Sequence, residues 1–205
     1  MSDIKTHWEN IYETKKINEV SWFQEVPKIS LDLIASIEID RKDKIIDIGS
    51  GKSYLIDNLL KKSYTNISIL DISKNALDEV KQRTKSEINY GNFYCSNILK
   101  LNTDTKFKLW HDRAVFHFLT KKNEINNYIK ICENHIDING FLIIGTFSEK
   151  GPLKCSGLEI TRYSVNEIEK LFSNKFSLIH KLNTDHLTPF NTIQNFNFCV
   201  FKKVI

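Results

Sequence analysis

Glycine and proline are scarce in this chain of 205 residues, at 7 and 3. That scarcity excludes a flexible Pro/Gly-rich linker and a low-complexity tract, and it makes each remaining glycine a marker of where the backbone must turn. Cysteine is sparse too. Cys95, Cys132, Cys155 and Cys199 contain no CxxC spacing, which excludes a short metal or redox motif. They read as buried or partly buried free thiols of a reducing compartment, and no metal site is expected. No apolar run is long enough to cross a bilayer. The opening MSDIKTHWENIY has no apolar h-region, so no signal peptide is expected, and a cytoplasmic location follows. A block of like charge is also missing. The net charge is +4 and the lysines are scattered, which favours a solvated surface over a nucleic-acid groove.

What is present is enough apolar residue, 41%, to build the core of one domain. From Lys44 onward apolar runs and helical patterns alternate. KIIDIGS (44–50), ISILDIS (67–73), NYGNFYCSN (89–97), FKLWHDRAVF (107–116) and GFLIIGTF (140–147) read as strands. Leu55, Ile56, Leu59 and Leu60 mark one helix face. Ala76, Leu77 and Val80 mark another, with Ser73 as its N-cap. Ile125, Tyr128, Ile129, Cys132 and Ile136 mark a third, with Thr120 as a cap. Ser164 and Glu167 form a capping box. FSLIHKL (176–182) and FNFCVFKK (196–203) close the chain with no helix between them, so they pair antiparallel. The expected fold is α/β: a Rossmann-like, doubly wound, seven-stranded sheet, mostly parallel with a C-terminal antiparallel hairpin. It forms one structural domain, with a helical lid segment at 1–40 ahead of the main body at 41–205.

The first strand runs into Asp47, Gly49, Ser50 and Gly51 and then a helix. Two glycines there allow a tight turn and close approach to a ligand. Asp71, at the end of the second strand, is spaced to accept hydrogen bonds from both hydroxyls of a ribose. The third glycine of a dinucleotide fingerprint is replaced by Tyr54, which would crowd a pyrophosphate. An acidic Asp47 suits the ammonium of S-adenosyl-L-methionine (SAM) instead, so SAM is the expected cofactor. Ile72 and Ile98 are placed to sandwich an adenine. Asn97 follows the third strand, and its amide oxygen can accept a hydrogen bond from the adenine amine.

Further landmarks follow the same order. WENIYETKKINEVSWFQ (8–24) precedes the glycine loop, Trp110 to Arg113 end the fourth strand, and Gly151-Pro152 precede the capped helix. On these residues the chain resembles the class I SAM-dependent methyltransferases over nearly its full length. It is most similar to the thiopurine S-methyltransferase-like group and its bacterial relatives, although Gly157 to Tyr163 has no counterpart in the human-type thiopurine enzymes. A weaker similarity points to protein-lysine methyltransferases.

The resemblance implies methyl transfer to a small nucleophilic acceptor, through sulfur or oxygen. The alternatives are a protein-lysine N-methyltransferase and a SAM-binding regulator without catalysis. His111, Asp112 and Arg113 are the expected catalytic group. His111 is read as general base, and Asp112 as the partner that orients Arg113 toward an ionisable acceptor. Trp8, Tyr12, Trp22 and Phe23 are read as an aromatic lid, with His117 and Arg162 beside the acceptor. Cys155 is read as structural. A small-molecule acceptor is the expected partner, with a protein substrate as the alternative and neither nucleic acid nor membrane.

Overall fold

The computed structural model describes residues 2–84 and 92–205. Two helices, α1 (Ser2–Thr14) and α2 (Lys28–Ala35), precede β1 (Ile45–Ile48). Alternation then runs through α3 (Leu55–Lys61), β2 (Ile67–Asp71), α4 (Lys74–Thr84), β3 (Phe93–Cys95), β4 (Phe107–Arg113), α5 (Lys122–His135) and β5 (Ile136–Phe147). A two-residue-per-strand hairpin, β6 (Lys154–Cys155) and β7 (Leu158–Glu159), leads to α6 (Val165–Phe172). Two long strands, β8 (Phe176–Leu187) and β9 (Ile193–Lys203), end the chain.

The main sheet has seven strands in the order β3-β2-β1-β4-β5-β9-β8. β1 to β5 pair in parallel, and β9 pairs antiparallel with both β5 and β8. This is the expected class I layout. The order reverses at β1, whose two neighbours β2 and β4 lie on opposite sides, so a crevice opens at their carboxyl ends.

Alternation along each strand divides the core into two layers. Ile45, Ile67, Ile69, Leu109 and Ile143 face α2, α3 and α4, packing on Leu33, Ile34, Ile56, Leu59 and Val80. Ile46, Ile48, Trp110, Leu142 and Ile144 face α5 and α6, packing on Tyr128, Cys132, Ile168 and Phe172. The Ser164–Glu167 capping box forms as expected, with both reciprocal bonds made, and the Ser73 hydroxyl accepts from the Ala76 amide at 3.2 Å.

Several boundaries move. The residue before α5 is Lys121, which makes no side-chain cap bond, so Thr120 is not the cap. Ile136 is not the last turn of α5 but the first residue of β5. The helix passes directly into the strand, because the buried Lys203 ammonium bonds the Glu133 and Ile136 carbonyls at 2.6 and 2.8 Å and closes the helix end. Of the expected third strand, Phe93–Cys95 forms, while Asn89 to Gly91 lie outside the described residues. All four cysteines are free, but Cys95 is exposed and not partly buried. Among the described residues no helix is long and apolar enough to cross a membrane.

Candidate active site

The loop after β1 adopts a shape that side chains resist. Gly49 and Gly51 have φ of +64° and +52°. A Cβ at Gly49 would lie 2.0 Å from Val115 Cγ2, and one at Gly51 would lie 2.3 Å from the Tyr12 hydroxyl. Asp71 ends the adjacent strand and grips this loop. Its Oδ2 accepts from the Gly51 amide and its Oδ1 from the Ser73 amide, both at 2.8 Å. Each oxygen keeps a free lone-pair direction for a further donor. Burial pushes the Asp71 carboxyl up to about 6, against the two backbone bonds that pull it down. The Ser50 hydroxyl is buried and has no hydrogen-bond partner among the described residues.

The end of β4 does not hold His111, Asp112 and Arg113 as one cluster. Successive strand residues point to opposite faces, and the three divide accordingly. His111 and Arg113 share the face of Asp47. Asp112 enters the other layer and is fully buried there. It accepts from the Val115 amide (2.9 Å), the Phe116 amide (3.3 Å) and the Tyr128 hydroxyl (2.5 Å), and does not orient Arg113. Burial raises the Asp112 carboxyl to about 6. The position expected to be catalytic therefore holds the turn after β4 in place. That turn is tight, since Ala114 has φ of +73°.

His111 is bonded at both ring nitrogens, to Asp47 Oδ1 at 2.7 Å and to Ser30 Oγ at 2.9 Å. Arg113 donates to the Trp22 carbonyl at 3.1 Å and lies 5.2 Å from the centre of the Phe196 ring. It has no carboxylate within 4 Å among the described residues. Burial lowers its pKa to about 10.

The N-terminal segment roofs the crevice. Trp8 packs edge-on against Trp22 and Phe118 and stacks on Tyr12, and Phe23 packs on Tyr54. Glu9 clasps α1 to the start of α4. Its carboxylate accepts from the Ser73 hydroxyl (2.6 Å), the Lys74 amide (2.8 Å) and the Asn75 amide (3.1 Å), two otherwise orphaned donors of a helix start among them. The following stretch is pinned to the far side of the sheet. His186 Nε2 bonds the Ser21 carbonyl at 2.8 Å, and Gln194 Nε2 lies 3.2 Å from the Ser21 hydroxyl.

Beneath this roof is a cavity of about 800 Å³, within the size range of small-molecule sites. Its walls include Asp47, Gly49, Ser50, Asp71, Ile72, Asn97 and Ile98. Trp8, Tyr12, Trp22, Phe23, His111 and Arg113 also line it. Asn97 Oδ1 already accepts from the Leu99 amide at 2.9 Å, leaving one acceptor direction.

Two expected acceptor residues are elsewhere. His117 is fully buried against Phe118 and Phe147, and burial, aided by Arg113, lowers its pKa to about 3. It is a neutral core histidine. Arg162 reaches the Glu149 and Gly151 carbonyls at 2.7 and 3.3 Å and fastens that loop. The sequence missed Ser30 and Glu9, and Cys155, read there as structural, lines the cavity. Ser30 carried a signal, being a polar residue on the helix stripe of buried Leu33 and Ile34. Glu9 carried none, since its partners lie 64 to 66 positions away.

Comparison with known proteins gives a consistent picture. A family model described as a methyltransferase domain matches residues 39–195. No curated protein matches the chain. Among solved structures, a SAM-dependent methyltransferase from Methanosarcina mazei superposes with a TM-score of 0.70 at 15% identity, covering 89% of this chain and 100% of its own. The 1,6-didemethyltoxoflavin-N1-methyltransferase of Burkholderia thailandensis, solved with 1,6-didemethyltoxoflavin and S-adenosylhomocysteine, gives 0.74 at 13%, covering 100% and 87%. The N-methyltransferase NodS of Bradyrhizobium japonicum, in complex with S-adenosylhomocysteine, gives 0.70 at 12%, covering 96% and 98%.

Proposed function

The chain belongs to the methyltransferase-domain family, and from that premise we propose that it methylates a small, anionic or readily ionised acceptor held by Arg113. It is a class I enzyme and its cofactor is SAM. The residues present fit that cofactor. Asp71 has two free acceptor directions for the ribose hydroxyls. The glycine loop presents backbone and the Ser50 hydroxyl, which has no partner among the described residues. Ile72, Ile98 and Asn97 would take the adenine, and Asp47 the ammonium. Bound there, SAM supplies an electrophilic methyl carbon on a sulfonium.

The protein's part is to hold the acceptor in line with that carbon and to exclude water. Trp8, Tyr12, Trp22 and Phe23, within a lid at 1–40, would do the excluding. The observation that carries the acceptor class is Arg113. Among the described residues the half-buried Arg113 guanidinium makes one hydrogen bond and has no carboxylate partner, and an anionic acceptor would supply the missing counter-charge. The cation also favours ionisation of a thiol or phenol, while it repels an incoming lysine ammonium. The toxoflavin-precursor enzyme holds a small molecule, which supports an acceptor of that size. Assignment to the thiopurine S-methyltransferase-like group rests on the order of landmarks from Trp8 to Pro152.

Arg113→Ala tests this reading. We expect turnover of a responding acceptor to fall at least tenfold while calorimetric SAM affinity stays within about twofold, since one charge-assisted bond contributes roughly 1.5–3 kcal/mol. Loss of SAM binding in that variant, with the fold intact, would assign Arg113 to the cofactor instead.

A further inference from the structure

Ser30, His111 and Asp47 form one hydrogen-bonded chain on the cavity wall. The links are 2.9 Å from Ser30 Oγ to His111 Nε2 and 2.7 Å from His111 Nδ1 to Asp47 Oδ1. The three residues are 2%, 2% and 4% exposed. They come from three elements: α2, β4 and β1. Register places Asp47 directly beside His111, and Ser30 approaches from the helix above. With both nitrogens engaged, His111 cannot itself touch an acceptor.

We propose that Ser30 takes the proton of the methyl acceptor and passes its own to His111, which Asp47 holds in the receiving tautomer. This rests on the reading of the cavity as a methyl-transfer site.

The chemistry of the donors fixes the direction. An ionised carboxylate only accepts, so Nδ1 carries the hydrogen toward Asp47. A neutral imidazole then has its lone pair at Nε2, and the Ser30 hydroxyl donates to it. Ser30 Oγ makes no other hydrogen bond among the described residues, so its lone pairs are free to accept from a ligand. The charged and titratable groups around this chain are Asp47 on β1, Asp71 at the end of β2, which interacts with Asp47, Arg113 on the same face of β4, and Asp112 on the opposite face. Tyr12 and Cys155 line the same cavity.

The transfer balances. The acceptor X–H proton moves to Ser30 Oγ as the Ser30 proton moves to His111 Nε2. The electron pair left on X forms the bond to the methyl carbon, and the methyl–sulfur pair returns to sulfur. One positive charge leaves the sulfonium and one appears on the imidazolium, where Asp47 stabilises it. An acceptor near the ordinary phenol value of about 10 is mostly protonated at neutral pH, so it needs this route. Ser30 is the group that touches the acceptor, and His111 and Asp47 act through it.

Nitrogen NMR of histidine-labelled protein, loaded with S-adenosylhomocysteine, reads the tautomer without any acceptor. His111→Asn identifies the signals. We expect Nε2 unprotonated and Nδ1 protonated around pH 7, with the Nε2 resonance displaced in Ser30→Ala. A protonated Nε2 throughout pH 6–8 would overturn the proposal, because no proton could then be received. The kinetic arm uses 4-hydroxybenzoate and 2-mercaptobenzoate as probes. Ser30→Ala should slow the phenol roughly a hundredfold at pH 7, converge on wild type above the phenol's ionisation, and affect the thiolate little. Ser30→Thr, which keeps a hydroxyl, should restore the profile. An equal loss at every pH and for both probes contradicts a relay. If neither probe is methylated, the acceptor class of the previous section is wrong, and the NMR result alone decides the relay.

Discussion

Two buried aspartates, Asp71 and Asp112, both sit near pH 6 because burial disfavours their charge, yet they serve different ends. For a carboxyl raised above its unfolded value of about 3.9, the folded state binds the extra proton between those values. The stability it contributes is present below pH 4 and lost as pH rises through 6. For Asp71 this becomes a binding property. Ribose hydroxyls donate to the ionised form, so SAM affinity should weaken as pH falls below about 6, with proton release visible in buffer-dependent calorimetry. Asp71→Asn should flatten that dependence, and Asp71→Ala should cost roughly 1.5–3 kcal/mol of SAM binding. A flat pH response in the wild type contradicts the assignment. For Asp112 the consequence is structural. Asp112→Ala strands two backbone amides and the Tyr128 hydroxyl and should lose several kcal/mol of stability, roughly 1–3 for each unpaired group. Asp112→Asn, which can still accept and donate, should lose much less by urea denaturation. The sequence placed Asp112 at the right end of the right strand. Treating it as one cluster with its two neighbours overlooked the two-residue alternation that sends it to the other layer.

Among the elements, α1 is distinguished by how it is fastened. Its contact with the cofactor side is the Glu9 carboxylate on the first turn of α4, immediately after Asp71. Burial opposes the charge on Glu9, but bonds from Ser73, Lys74 and Asn75 outweigh it and hold the carboxyl below its ordinary value. The clasp is therefore present at neutral pH and lost as acid protonates Glu9. A ligand that orders the 71–75 turn should also order α1. Hydrogen exchange should show residues 3–24 gaining protection with S-adenosylhomocysteine, and Glu9→Ala should remove most of that gain. Equal protection with and without ligand would make α1 a fixed helix. The sequence announced strands, helix faces and the Ser164 capping box through local pattern. It could not announce this clasp or the direct passage of α5 into β5, which depend on partners distant along the chain, Lys203 among them; the β6–β7 hairpin is local, turning on Ser156 and Gly157 at positive φ, and was overlooked.

At the scale of the whole molecule, sheet order puts the two halves of the cavity on the strands that flank β1. β2, on one side of β1, carries Asp71, proposed to hold the cofactor ribose, and β4, on the other side, carries Arg113, proposed to hold the acceptor. The alternation of strands and helices made this topology legible in the sequence, and the glycine loop with Asp71 made the cofactor legible with it. The acceptor side was less legible because it is assembled from α2, β4, the hairpin and the N-terminal roof, whose proximity no local pattern records. The most direct test of the account is transfer of labelled methyl from SAM to matched aromatic thiols and phenols, each with and without a carboxylate, alongside a protein extract. The account predicts label in the small carboxylate-bearing acceptors, with the preference for the carboxylate abolished in Arg113→Ala. Label concentrated in protein lysines, or an equal rate for charged and uncharged partners in the wild type, would contradict it.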